Sequence, residues 1–147
     1  MTDDESKKVL LSSIKKGFED EGWILEDWVI LDNHYHLMVN APANPLFLGK
    51  IIKEIHRFNA LWLKKHLNIP KGIIVWYNYW DSCITYEESY FARLNYIWFN
   101  PVKHRYVEDP EDWIHGSYFL RLKKEEEYLK VINKRYPIEK LRIFVDF

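Results

Sequence analysis

Two histidines one residue apart, His34 and His36, lie in the stretch WVILDNHYHLMVN from Trp28 to Asn40 and have a spacing that can do chemistry. β-Branched and aromatic residues run up to Leu31, Asp32-Asn33 supplies tight-turn chemistry, and Leu37, Met38 and Val39 carry an apolar run away. This predicts a hairpin with both histidines on its second strand, where residues i and i+2 share a face. Two neutral imidazoles pointing the same way suit a divalent cation, and such a site needs a third ligand from elsewhere in the chain. The same pattern also fits a partly buried histidine pair on a sheet surface.

A second set of groups falls on a predicted helix from about Tyr86 to Asn100. Tyr96 and Asn100 are four residues apart and share a face, with Arg93 three residues before the tyrosine. Against the histidine strand, that face offers a phenol, an amide oxygen and a guanidinium. A His, His, Asn set leaves metal positions open for water and a phosphate oxygen, so the phenol can attack a phosphodiester while the ion polarises it. Holding a tyrosine as phenolate at neutral pH costs roughly 4 kcal/mol without help, and a nearby cation narrows that gap. Among ten tyrosines, packing or surface exposure is the plainer role for any one of them.

The elements that must position these groups follow from periodicity and punctuation. Ser6 is placed to cap a helix with Leu10, Leu11, Ile14 and Phe18 at helical spacing, ended by Gly22. Trp23 to Leu31 reads as the first strand of the hairpin. Asn44 and Pro45 fit the start of a helix whose apolar stripe runs from Leu48 through Trp62 to about Leu67, ended by Asn68 and Pro70. The outer face of that helix carries Lys50, Lys53, Arg57, Lys64 and Lys65, which suits either solvated surface or phosphate contact. Ile73 to Tyr79 reads as a further strand, and Thr85 with Glu88 as a capping box for the tyrosine helix, which should break or bend at Asn100-Pro101. Pro110 to Gly116 reads as loop, Arg121 to Tyr136 as a charged helix, and Leu141 to Phe147 as a terminal strand.

At 147 residues the chain has the size of one domain with a real core, at 48% hydrophobic and 29% charged residues. The single cysteine, Cys83, forms no internal disulfide, and neither a secretory signal nor a membrane-spanning stretch is evident, so a cytoplasmic location is expected. A net charge of -1 argues against broad affinity for nucleic acid but allows a local basic face. Ten aromatic residues fall between Trp76 and Phe99. Trp76, Tyr79 and Trp80 among them suit either core burial or stacking on unpaired bases.

VILDNHYHLMV resembles the metal-binding strand of the HUH superfamily of single-stranded DNA endonucleases, and NYIWFNPVKHRYV resembles the tyrosine helix of its REP-associated tyrosine transposase branch. IIKEIHRFNALWL, VWYNYWDSCI with TYEES, and DWIHGSY keep the order and spacing of that family between and after them, so the likeness spans about residues 22–118. The resemblance implies an α+β fold, a central antiparallel sheet flanked by helices. It implies Tyr96 as nucleophile, His34, His36 and Asn100 as ligands to Mg²⁺ or Mn²⁺, and cleavage beside hairpin DNA that leaves a 5′-phosphotyrosine and a free 3′-OH. Arg93 is then the candidate nearest the scissile phosphate, with Lys50, Lys53, Arg57, Lys103 and Arg105 as DNA-backbone contacts. Single-stranded or hairpin DNA is the expected partner, with no membrane, and the protein acts as a monomer or a homodimer.

The chain departs from that family pattern in places. Members usually begin with a strand beside the histidine strand, whereas these residues start at the following helix; the sheet is expected to lack that strand, or to use Leu141 to Phe147 in its place. Trp98 stands where a histidine is common, Asp32 where a proline is usual, and His104-Arg105 where a small residue and a glycine are common. The missing glycine suggests a different local backbone. These departures leave two other readings: a catalytically inactive descendant that still binds hairpin DNA, and a metal-assisted hydrolase that uses water as nucleophile.

Overall fold

A computed structural model describes residues 1–137. It contains, in order, α1 (Asp4–Asp20), β1 (Ile24–Ile30), β2 (Tyr35–Asn40), α2 (Leu48–His66), α3 (Glu87–Lys103), a 3-10 turn over Pro110–Asp112, and α4 (Ser117–Arg135). The architecture is α+β, and among the described residues the antiparallel sheet consists of β1 and β2. The expected strand over Leu141 to Phe147 lies outside the described residues. No helix among them is long and apolar enough to cross a membrane.

The chain divides into two compact units, the first formed by Met1–Leu25 and Val39–Ser82. Here Leu10, Ile14 and Phe18 of α1 and Ile51, Ile52, Ile55 and Leu63 of α2 are buried. Gly17 lets the two helices approach, since a Cβ there would lie 2.8 Å from Ile55 Cγ1. The cap of α1 is Asp3 rather than Ser6. Its carboxylate accepts from the Ser6 N–H at 2.8 Å and the Ser6 hydroxyl at 2.7 Å, a stronger acceptor three residues earlier. At the other end Gly22, at φ +71, closes a Schellman motif in which the Gly22 N–H bonds Glu19 O and the Trp23 N–H bonds Phe18 O. The Phe18 and Trp23 rings pack edge-on across it at 5.8 Å.

α2 starts at Leu48, three residues after Pro45, with Phe47 at the cap position and no side-chain cap. Residues 43–45 are exposed, so extending the helix through them would bury nothing. The strand expected over Ile73 to Tyr79 does not form. Among the described residues the segment has no partner strand, Ile73, Ile74 and Tyr77 are exposed, and β-propensity without a sheet to pack on gives no strand. Trp76 is held instead by α2: its ring stacks on His56 at 4.5 Å and 8°, and its indole N–H donates to Asn59 Oδ1 at 3.1 Å. Burial pushes the His56 imidazole down to about 4 from 6.5. The unfolded chain therefore takes up a proton that the folded chain refuses, and stability is lost as pH falls from 6.5 towards 4. His56→Phe, which can keep the stack, should flatten the urea-midpoint profile over that window; a profile with the wild-type slope would remove His56 as its source.

The second unit comprises Glu26–Met38 and the chain from Cys83 onward. Its core is Val29, Leu31 and Met38 from the hairpin, Leu94, Ile97 and Trp98 from α3, and Tyr118, Leu129 and Ile132 from α4. A buried carboxylate ties these elements together. Asp27, fully buried, accepts from the Trp98 indole N–H (2.8 Å), the Ser117 hydroxyl (2.6 Å) and Arg121 Nε (2.8 Å) at one oxygen, and from Arg121 Nη2 (2.6 Å) at the other. Val29 pairs with Gly116 as an antiparallel bridge on β1. These contacts to Ser117 explain why α4 begins there, earlier than the charged run from Arg121, and α4 is kinked at Glu125.

α3 begins at Glu87 with Tyr86 at the cap position, and the expected Thr85 capping box does not form. Glu87 and Glu88 still complement the helix dipole. Nor does the helix break at Asn100-Pro101. Pro101 removes one N–H, but the helix runs on to Lys103 because the His104 N–H bonds Asn100 O and the Tyr106 N–H bonds Pro101 O. Arg105 takes the left-handed position at φ +60, so the glycine-type closure is kept without the glycine. Arg105→Gly should raise stability by about 0.5–1 kcal/mol in chemical denaturation, the left-handed strain exceeding the added chain entropy; a loss of stability would contradict that backbone.

Candidate active site

All four residues of the candidate core, His34, His36, Tyr96 and Asn100, belong to the second unit. The tight turn places His34 just before β2, its carbonyl accepting from the Leu31 N–H at 2.9 Å, and His36 is the second residue of β2. Their rings meet edge-to-face with centroids 5.2 Å apart. The His36 ring also meets the Tyr96 ring edge-on at 5.2 Å. Tyr96 is 5% exposed and Asn100, one turn further along α3, is fully buried. The structure thus puts the tyrosine against the second histidine.

The polar atoms of the cluster fit a metal ion. His34 Nδ1 lies 2.7 Å from Asn33 Oδ1. An amide oxygen only accepts, so Nδ1 carries a proton, and in the neutral ring this leaves the lone pair on Nε2, the tautomer that a ligand at Nε2 requires. Neither the amide oxygen nor the amide nitrogen of Asn100 has a hydrogen-bond partner. A buried group in that state costs about 1–3 kcal/mol, which coordination of its oxygen offsets. Among the described residues no three His, Cys, Asp or Glu side chains form a metal cluster. The donors that these residues could offer an ion are two imidazoles and one amide oxygen, a mixed N/O set of a kind that Mn²⁺ or Mg²⁺ accepts.

The basic residues divide between the units. Lys103 Nζ lies 4.9 Å from the centre of the Tyr96 ring, close enough for a cation–π contact. Arg93 is half-buried, with Nε donating to Ser89 Oγ at 3.3 Å, and Arg105 is exposed at the end of α3. Lys50, Lys53 and Arg57 are exposed on α2, in the first unit, where Arg57 donates twice to Glu54 at 2.7 and 3.0 Å.

Two residues absent from the sequence-derived set join the site. Asn33 fixes the His34 tautomer, and His104 packs its ring edge-on against His34 at 5.0 Å. His104 follows Asn100 by four residues, so helical spacing alone could have put it on the Tyr96 face. Asn33 had no such signal, since turn chemistry already accounted for it.

A hairpin bearing two histidines thus faces a tyrosine on a helix within an α+β fold. The chain is 30% identical over 108 residues to a candidate REP-associated tyrosine transposase of Haemophilus influenzae, covering 65% of this chain and 59% of the relative. It is 26% identical over 110 residues to the REP-associated tyrosine transposase of Escherichia coli, covering 72% of this chain and 61% of the relative. A solved REP-associated tyrosine transposase bound to a REP hairpin shares the fold, with a TM-score of 0.66 at 23% identity, over 98% of this chain and 78% of that one. No protein-family model matches. The chain is similar to these REP-associated tyrosine transposases in sequence and shares the fold of the solved one, and it spans about three fifths of the length of the curated relatives.

Proposed function

We propose that this protein cleaves and rejoins single-stranded DNA beside hairpins through a 5′-phosphotyrosine on Tyr96. The observation that carries the reading is the Tyr96 ring seated on His36, one helical turn from the buried Asn100 amide. A Mg²⁺ or Mn²⁺ ion held by His34, His36 and Asn100 supplies Lewis-acid polarisation of the scissile phosphate when bound. The Tyr96 phenol releases its proton to solvent and its oxygen forms a bond to phosphorus, the bond from phosphorus to the 3′ oxygen breaks, and that oxygen takes a proton from solvent to leave as a 3′-OH. Attack by a 3′-OH on the phosphotyrosine reverses these bond changes and rejoins strands. Lys103 places a positive charge beside the ring that carries the phosphoryl group, and Arg93 lies one turn before it. Arg105, Lys50, Lys53 and Arg57 are assigned to the DNA backbone. The name of the hairpin-bound structural relative supports a hairpin as the DNA partner.

One observation favours a second reading, an inactive protein that still binds hairpins. Tyr96 is 5% exposed, and a nucleophile must reach its phosphate. Incubation with Mn²⁺ and labelled hairpins bearing single-stranded flanks, followed by denaturing electrophoresis, separates the two. A covalent band that Tyr96→Phe abolishes is the expected result. Hairpin binding with no band selects the second reading, and a cleaved strand that persists in Tyr96→Phe selects water as nucleophile.

A further inference from the structure

His104 is the one imidazole of the cluster that the proposed chemistry leaves unused. It occupies the cap position of α3, one turn beyond Asn100, with its ring 5.0 Å from that of His34. Its Nε2 is buried and has no hydrogen-bond partner, as is true of both amide atoms of Asn100. Three unsatisfied polar atoms one helical turn apart, beside an edge-to-face histidine pair, are a costly arrangement for a merely packed core. Coordination satisfies an imidazole nitrogen and an amide oxygen together. The separations between His104 and His34 and between His34 and His36, 5.0 and 5.2 Å, are similar. Rings bound side by side on one ion stand about 5 Å apart, given metal–nitrogen bonds of about 2.1 Å.

We propose that His104 is an additional protein ligand, so that this chain holds its ion with three imidazoles and one amide oxygen. The proposal rests on the metal site described above. Among the described residues no three His, Cys, Asp or Glu side chains are already placed to hold an ion, so binding would require the His104 ring to turn towards it, a rotamer change within ordinary side-chain freedom. A third nitrogen donor moves the site away from Mg²⁺, which prefers oxygen and keeps its waters, and towards Mn²⁺, Co²⁺ or Zn²⁺.

The test is titration of the full chain with Co²⁺, Mn²⁺ and Mg²⁺ in the absence of DNA, for wild type, His104→Phe, His104→Gln and His36→Ala. Calorimetry gives the affinities, and proton NMR of the Co²⁺ form counts the shifted imidazole N–H signals. Three such signals in wild type, two in His104→Phe, and Co²⁺ binding weakened more than about tenfold by that variant are expected, with Mg²⁺ binding changed little. Two signals in wild type, or His104→Phe binding Co²⁺ as wild type does, would overturn the proposal and leave His104 a packing residue. That outcome is distinct from failure of the site itself, in which His36→Ala binds Co²⁺ as tightly as wild type. The signal count needs no variant, so it stands even if a substitution impairs folding.

Discussion

Asp27→Ala is expected to lower the stability of the folded chain by about 3–5 kcal/mol. The carboxylate is fully buried and accepts from Trp98, Ser117 and Arg121. Removing it strands three donors, one of them a guanidinium whose other ion-pair partner is Glu125 at 2.7 Å. Arg121→Met alone should cost a similar amount, because it leaves the Asp27 charge buried without its cation. The pair Asp27→Leu with Arg121→Met should recover much of the loss, since an apolar pair of similar volume avoids the desolvation of both ions. Urea denaturation of the single and double variants checks this. Additive losses would show that the two residues do not act as one unit.

His36→Ala is expected to slow formation of the covalent DNA adduct by on the order of 10³-fold, the several kcal/mol that a Lewis-acid ion contributes. His36 touches both His34 and Tyr96, so its loss removes a proposed ligand and the ring that seats the proposed nucleophile. The two effects separate by measurement. His36→Gln keeps a polar donor at the same place, and raising Mn²⁺ should restore part of its rate but none of the rate of Tyr96→Phe. Chelation of divalent ions should reduce the wild type to the level of His36→Ala. Adduct formation that is indifferent both to chelation and to His36→Ala would refute a metal-dependent reaction.

Much of this arrangement was legible in the residues. Two apolar runs around Asp32-Asn33 define the hairpin within a residue or two, because strand pairing and turn chemistry there are local. The stripes of α1 and α2 are equally plain, since each buries a line at helical spacing, whereas α3 buries the consecutive run from Leu94 to Trp98. The misreadings fall where a local signal meets a distant competitor. Ile73 to Tyr79 has strand composition but no strand beside it among the described residues, and Trp76 takes hydrogen-bonding and stacking partners on α2. Ser6 and Thr85 are good caps in isolation, yet Asp3 supplies a better acceptor for α1 and α3 starts after Thr85. The Asp27 network joins residues as far apart as Asp27 and Arg121, and no periodicity reports such a pairing. Of the candidate site, spacing put the two histidines on one strand face and Tyr96 with Asn100 on one helix face, and the family resemblance singled out Tyr96 among ten tyrosines, whereas the edge-on contact of His104 with His34 requires the folded hairpin.

The bond from the Trp98 indole to Asp27 has a consequence for how this stretch can vary. Trp98 follows Tyr96 by two positions, so a fixed anchor at Trp98 sets the rotational phase in which the phenol faces His36. One residue added or removed between them turns Tyr96 by about 100° around the helix axis. In a library of natural and artificial variants, substitutions at the outward positions of α3 should be common. Changes of length should be confined to the connections outside the helix.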